Sequence, residues 1–221
     1  MRHQDRRIQS LGELIAGLRD TAATGLAWYR GHGRLEWKLV PGIARPGGSL
    51  QAEFATIKRF KQSAAPYLHS RPLDEWEWVF LMQHHRAPTR LLDWTESPLV
   101  ALFFALQDTK NDDADAAIWC LDPCALNRLS GHAPAFDLDI LAFGIDKQID
   151  EYLPANVNER VSKLKPVAAI GPRNSARMVA QSGTFTVMHA EATAIEDIGD
   201  SNHVWRFIVP AGAKATLREE L

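Results

Sequence analysis

Gln83-His84-His85-Arg86-Ala87-Pro88-Thr89-Arg90-Leu91-Leu92-Asp93-Trp94-Thr95-Glu96-Ser97-Pro98 runs directly into the apolar segment Leu99 to Leu106. These sixteen residues hold two histidines, two arginines, two carboxylates, a glutamine and a tryptophan. That mixture is unlike the Gly, Ser and Asn of an ordinary connector. The centre, Thr89 to Trp94, is short and apolar enough for one buried strand. In a regular strand Arg90 and Asp93 point to opposite faces, because side chains alternate. Ser97-Pro98 predicts a helix start: Ser is a favoured N-cap, and Pro at the first helical position gives up only an N–H that has no partner. The helix that follows is apolar on every face, which predicts burial. A polar strand delivered onto the N-terminus of a buried helix suits anion binding, since free N–H groups and the helix dipole point there.

Outward from this block, Leu26 to Arg30 reads as a strand ending at Gly31-His32-Gly33. Ser10 to Arg19 is a predicted helix with Leu11, Leu14, Ile15 and Leu18 at helical spacing and Ser10 as cap. Leu50 to Ala65 is another, with Phe54, Ile57 and Phe60 on one face and Lys58, Arg59 and Lys61 solvated. Pro72-Leu73-Asp74 opens a third helix over Glu75 to Gln83. Further strands are expected at Ala116 to Leu121, Lys165 to Ile170, Thr184 to Met188 and His203 to Val209, with helices at Pro123 to Leu129 and in part of Ile140 to Leu153. Arg173 to Ala180 reads as a short helix or loop, and the chain stops within a helix begun at Ala213. The irregular alternation predicts an α+β fold, mixed or antiparallel central strands with surrounding helices, rather than a doubly wound α/β sheet. The expected organisation is a helical segment over 1–24 and one domain over 25–221.

Composition closes several classes of function. A net charge of −2 over 221 residues gives no electrostatic case for bulk nucleic-acid binding. No apolar run approaches the roughly 18–20 residues of a membrane span, and Met1 to Arg7 lacks the apolar core of a signal peptide. A cytoplasmic location and no membrane partner are therefore expected. Cys120 and Cys124 form a lone C-x3-C without a second ligand pair, so they read as buried or half-buried thiols, with no metal. There is no H-E-x-x-H and no Walker-type phosphate loop, and Gly31-His32-Gly33 lacks the third glycine of a dinucleotide fingerprint. Metal hydrolase and Rossmann oxidoreductase are both disfavoured.

Each candidate residue has two readings. Arg30, charged and at the end of an apolar strand beside two glycines, is either a surface arginine or a planar fork aimed at a phosphate or carboxylate. Arg90 and Asp93 are either a buried structural pair or a phosphate contact and a residue that orients His84. His84 is either a hydrogen-bonded core histidine or a group for acid/base work or a ribose hydroxyl. Trp94 is either core or a stacking platform. Gln83 and Gln181 bond either backbone or substrate.

The motifs Trp28-Tyr29-Arg30-Gly31, Gln83-His84 through Pro88-Thr89-Arg90-Leu91-Leu92-Asp93-Trp94-Thr95, Ser97-Pro98 with Ala101-Leu102-Phe103-Phe104-Ala105, and Gln181-x-Gly183-x-Phe185-Thr186 occur in the order of the FRG domain family, which the chain strongly resembles from about Trp28 to Val209. His85-Arg86 departs from that pattern, the family more often having an aromatic and then Gly, a residue that tolerates positive φ where Arg resists it. A second, weaker resemblance is to the ADP-ribosyltransferase fold, in which a first-strand Arg holds the phosphates of NAD, a Ser/Thr-bearing strand supports the nicotinamide ribose, and a later Glu or Gln assists transfer. Carried onto this chain, the resemblance implies Arg30, then Thr95 or Ser97, then Gln181.

These resemblances imply an NAD-using ADP-ribosyltransferase or NAD-cleaving enzyme, with NAD as substrate and protein or nucleic acid as acceptor. Arg30, His84 and Gln181 would be catalytic. Tyr29, Gly31, Gln83, Arg90, Asp93, Trp94, Thr95 and Ser97 would form the pocket, Tyr29 or Trp94 stacking the nicotinamide. Arg30, His84, Thr95 and Gln181 are then expected to converge on one cleft. The alternatives are a non-catalytic nucleotide- or nucleic-acid-binding module and a protein-interaction domain. A bacterial role in toxicity or phage defence would suit a domain of this type.

Overall fold

The structure is a computed structural model that describes residues 4–21, 25–68, 72–132, 139–157, 163–171 and 183–221. Alternation along the central strand, β3 (Leu91–Thr95), divides the molecule. Leu92 and Trp94 point into one hydrophobic cluster, while Leu91 points into another on the opposite face, the side shared by Asp93 and Thr95. The other strands are β1 (Arg6–Arg7), β2 (Trp28–His32), β4 (Ala116–Leu121), β5 (Leu141–Ala142), β6 (Val167–Ile170), β7 (Gly183–Val187) and β8 (Val204–Val209). They form one eight-stranded sheet in the order β1-β8-β4-β2-β3-β7-β6-β5. The two edge pairs, β1 with β8 and β5 with β6, are parallel, and the rest are antiparallel. The fold is α+β, as the irregular order of strands and helices predicts.

Helices α1 (Leu11–Thr21), α4 (Pro98–Leu106) and α6 (Lys214–Glu220) cover one half of the first face, through Leu14, Ala101, Leu102, Ala105 and Leu217. Helices α2 (Glu53–Ala64) and α3 (Glu75–His84) cover the other half, through Ile57, Trp76, Val79, Phe80 and Met82. The second face is closed by α5 (Pro123–Leu129) and by loops carrying Leu39, Ile195 and Ile198. The N-terminal stretch belongs to this same body: β1 extends the sheet and Leu14 is fully buried against α4 and β8 residues. A boundary at residue 24 does not separate two cores.

Local rules explain the element ends. Ser10 accepts the Glu13 N–H, while Glu13 accepts the Gln9 N–H, a reciprocal cap for α1. Asp74 accepts the Glu77 N–H at the start of α3, and Ser97 accepts the Val100 N–H at the start of α4. Four expectations change. Strand β2 continues through Gly31 to His32. On α2 the buried face is Glu53 and Ile57, whereas Phe54 is 40% exposed beneath the Lys58 ammonium. Helix α4 is buried only toward the sheet, since Leu99 and Phe103 remain 43% and 52% exposed. Ile140 to Leu153 forms β5 and a 3-10 turn at Lys147–Tyr152 rather than an α-helix. The segment Arg173 to Ala180 lies outside the described residues.

Gly31 fixes how closely α4 approaches the sheet. A Cβ there would stand 1.9 Å from the Ala101 carbonyl oxygen and 2.6 Å from the Ala105 backbone nitrogen. Only a residue without a side chain lets β2 lie against the backbone of α4. Gly31, expected in the ligand pocket, is therefore a packing position.

Candidate functional site

The strands that carry the three sequence blocks are neighbours: β2, β3 and β7 lie side by side. Tyr29 pairs with Thr95, and Thr95 with Gly183, so the three stand in one row across the sheet. Tyr29 is half-buried over the cluster beneath α4, and burial together with the neighbouring Cys120 thiol pushes its phenol up to about 12. Beyond the Tyr29–Thr95 pair, a side chain takes over from the backbone ladder: Arg30 Nη1 donates to the Asp93 carbonyl oxygen.

Arg30 projects on the second face, with Trp28 and His32 of its own strand and opposite Trp119 of β4. Its Nε donates to His32 Nε2 at 3.1 Å. That bond makes Nε2 the acceptor, so the proton sits on Nδ1, which donates to the Trp37 carbonyl oxygen at 3.2 Å. Burial, helped by the Arg30 and Arg45 charges, pulls the His32 imidazole down to about 3 and keeps it neutral. Burial also lowers Arg30 to about 10, with Asp93 opposing the shift and Arg45 adding to it. Among the described residues no carboxylate lies within ion-pair distance of Arg30. It is an arginine fixed by two neutral acceptors.

Arg90 has a different role from the one expected. It is 2% exposed and pairs with the equally buried Glu53, not with Asp93. Its Nε bonds Glu53 at 2.8 Å, its Nη1 donates to the carbonyls of Tyr152, Met188 and His189, and its backbone N–H also reaches Glu53. A guanidinium with this set of internal acceptors is not open to a phosphate, so Arg90 leaves the ligand-binding set. Glu53 escaped the sequence reading, although it shares a helical face with Ile57 and Phe60 at the spacing that marks a buried side.

Asp93 is exposed, in the strip between the two helix-covered halves of the first face. Gln83 Nε2 donates to it at 2.8 Å, while Gln83 Oε1 accepts from the Thr89 hydroxyl at 2.5 Å. The glutamine thus ties the end of α3 to β3 by both ends of its amide. Trp94 is 3% exposed and donates its indole N–H to Thr186 at 3.1 Å, so it is core and not a stacking platform. Thr95 is buried, and its hydroxyl accepts the Ser97 N–H; the Ser97 hydroxyl caps α4. These two hold the turn at the helix start.

His84 is exposed at the end of α3, edge-on to His85 at 5.1 Å. Helix α3 packs on the first face through Val79, Phe80 and Met82, beside Leu91 and Phe185. Arg30 and His84 therefore lie on opposite faces of the sheet, and the expected cleft joining them does not form. Gln181 lies outside the described residues, two positions before Gly183. Cys120 and Cys124 are both buried, and the described residues contain no group of three or more metal-ligating side chains.

The geometry defines an α+β protein whose central three strands carry the sequence's distinctive polar residues. Residues 26–114 match the model of the FRG domain family, a stretch that spans Tyr29-Arg30-Gly31, the block from Gln83 to Pro98 and α4. Neither curated proteins nor solved structures gave a match.

Proposed function

We propose that the chain binds a nucleotide where β2 and β3 part, and that the nucleotide is NAD. The observation that carries this reading is the adjacency of the three blocks: Tyr29, Thr95 and Gly183 stand in register on neighbouring strands, with Arg30 beside them lacking a carboxylate partner among the described residues. A guanidinium held by neutral acceptors keeps its full charge available to an anion. In the stronger, catalytic form of the proposal the bond between nicotinamide and ribose breaks, its electron pair leaving with the nicotinamide. The cation-like ribose is then captured by water or by an acceptor on protein or nucleic acid. Such a transition state needs a diphosphate clamp and a polar group at the ribose. Arg30 would clamp, and the segment ahead of Gly183, with Gln181, would assist transfer; Tyr29, which packs beneath α4 on the opposite face from Arg30, takes no part in the site. His84 has no part in this site. Its position favours the non-catalytic form, nucleotide binding without turnover.

Calorimetric titration of NAD into the protein, together with an assay for released nicotinamide, tests both forms. Saturable binding is expected from the wild type and from no Arg30→Ala protein, although both fold. Arg30→Lys should also fail, because an ammonium cannot supply the planar fork. Binding without nicotinamide release selects the non-catalytic form. An Arg30→Ala protein that binds like wild type would overturn the assignment.

A further inference from the structure

A cleft of about 440 Å³ opens on the second face beyond Trp119, away from the Gln83–Pro98 block. Its size suits a small organic ligand. Two indoles stand in its wall. Trp119 is 6% exposed, and its Nε1 has no hydrogen-bond partner among the described residues; Trp37 is 44% exposed. Four carboxylates, from Asp5, Glu36, Glu196 and Asp197, face two cations, Lys38 and Arg206. The lining is thus formally negative, which repels phosphates and attracts a cation.

The wall already contains one such contact. The Arg206 guanidinium lies 4.8 Å from the centre of the Trp119 ring, with its Nε donating to Asp5 at 2.8 Å. An aromatic face beneath the cation and a carboxylate at its edge is the combination by which proteins hold guanidinium and alkylammonium groups. The same elements recur at Trp37, over whose ring no cation of the described residues lies: an exposed indole, with Glu36 and Asp197 lining the same cleft. Asp197 is held by Lys38 at 3.3 Å, and Glu36 reaches Arg34 only at 3.4 Å.

We infer that this cleft binds a guanidinium group, stacked on Trp37 and bonded to Glu36 or Asp197. The group can come from a free small molecule or from an arginine side chain of a peptide. The inference stands apart from the nucleotide proposal, since it uses other residues and the opposite sign of charge.

Titration of the full chain with acetyl-arginine-amide, with its neutral isostere acetyl-citrulline-amide and with a glycine-flanked arginine peptide separates the outcomes. The arginine probe should bind saturably and the citrulline probe at least tenfold more weakly. Trp37→Ala should weaken arginine binding about tenfold while melting like wild type, because the indole is half exposed. Glu36→Gln should weaken it less. Equal affinity for peptide and small molecule points to a free guanidinium compound, and tighter peptide binding points to a polypeptide. No saturable arginine binding, equal citrulline binding, or full affinity in Trp37→Ala would each overturn the inference.

Discussion

Arg86 holds φ at 61°, in the left-handed region that L side chains avoid. The turn that joins α3 to β3 requires it, since the Arg86 N–H closes back on the Gln83 carbonyl oxygen and the Ala87 N–H on that of Met82. A left-handed L residue costs roughly 1–2 kcal/mol, of which a glycine's greater freedom in the unfolded chain gives back roughly 0.5–1 kcal/mol. Arg86→Gly is therefore expected to stabilise the protein by about 0.5–1 kcal/mol, read as a rise in melting temperature with unchanged denaturant slope. The side chain is exposed, so no packing is lost. A lower melting temperature would show that Arg86 makes a contact worth more than the strain. The sequence left this turn open: the family it resembles more often has Gly here, and Arg resists the positive φ that the turn adopts.

Arg90 and Asp93 illustrate what an element-level reading gains and misses. Arg90 stands just before β3 (Leu91–Thr95), and its side chain turns to Glu53 of α2 instead of to Asp93. What the sequence withholds is the partner, because Glu53 lies 37 residues earlier on a different element, reached only once α2 is packed on the sheet. The buried bridge joins α2, β3, the turn at Lys147–Tyr152 and the chain after β7 at one point. Removing one partner leaves an uncompensated buried charge, at roughly 3–5 kcal/mol. Glu53→Gln and Arg90→Ala should each lower stability by about that amount, whereas Asp93→Asn, exposed and facing an amide, should change it by less than about 0.5 kcal/mol. Urea titrations of the three variants decide this, and an Asp93→Asn protein as unstable as Glu53→Gln would refute it. Helix starts were the most legible elements, because Ser10, Asp74 and Ser97 announce their caps locally. The 3-10 turn at Lys147–Tyr152 was not, since its short apolar run has no period that tells a turn from an α-helix.

Across the whole molecule, the class of fold was legible in the order of strands and helices, but not which strands meet. The pairings of β2 with β3 and of β3 with β7 arise from contacts 66 and 88 residues apart at Tyr29–Thr95 and Thr95–Gly183, distances at which local patterning carries no information. The second face was hidden for the same reason: His32, Trp37, Trp119 and Arg206 come from three separate stretches. Buried imidazoles also set the acid response of the protein. Burial lowers three imidazoles, His32 to about 3 and His189 and His203 in the same direction. Below an unfolded value near 6.5 the unfolded chain binds protons that the folded protein refuses, so stability falls as pH falls. For His32 alone the loss is about 1.4 kcal/mol per pH unit, starting near pH 6.5 and continuing toward pH 3. Urea midpoints should therefore drop between pH 7.5 and pH 5, a window above the ordinary carboxylate range. His32→Gln, which keeps an acceptor for the Arg30 N–H, should flatten the dependence by one proton's share. A variant whose midpoints follow the wild-type pH profile would mean that His32 takes up its proton in the folded state, and that Arg30 is held by some other acceptor.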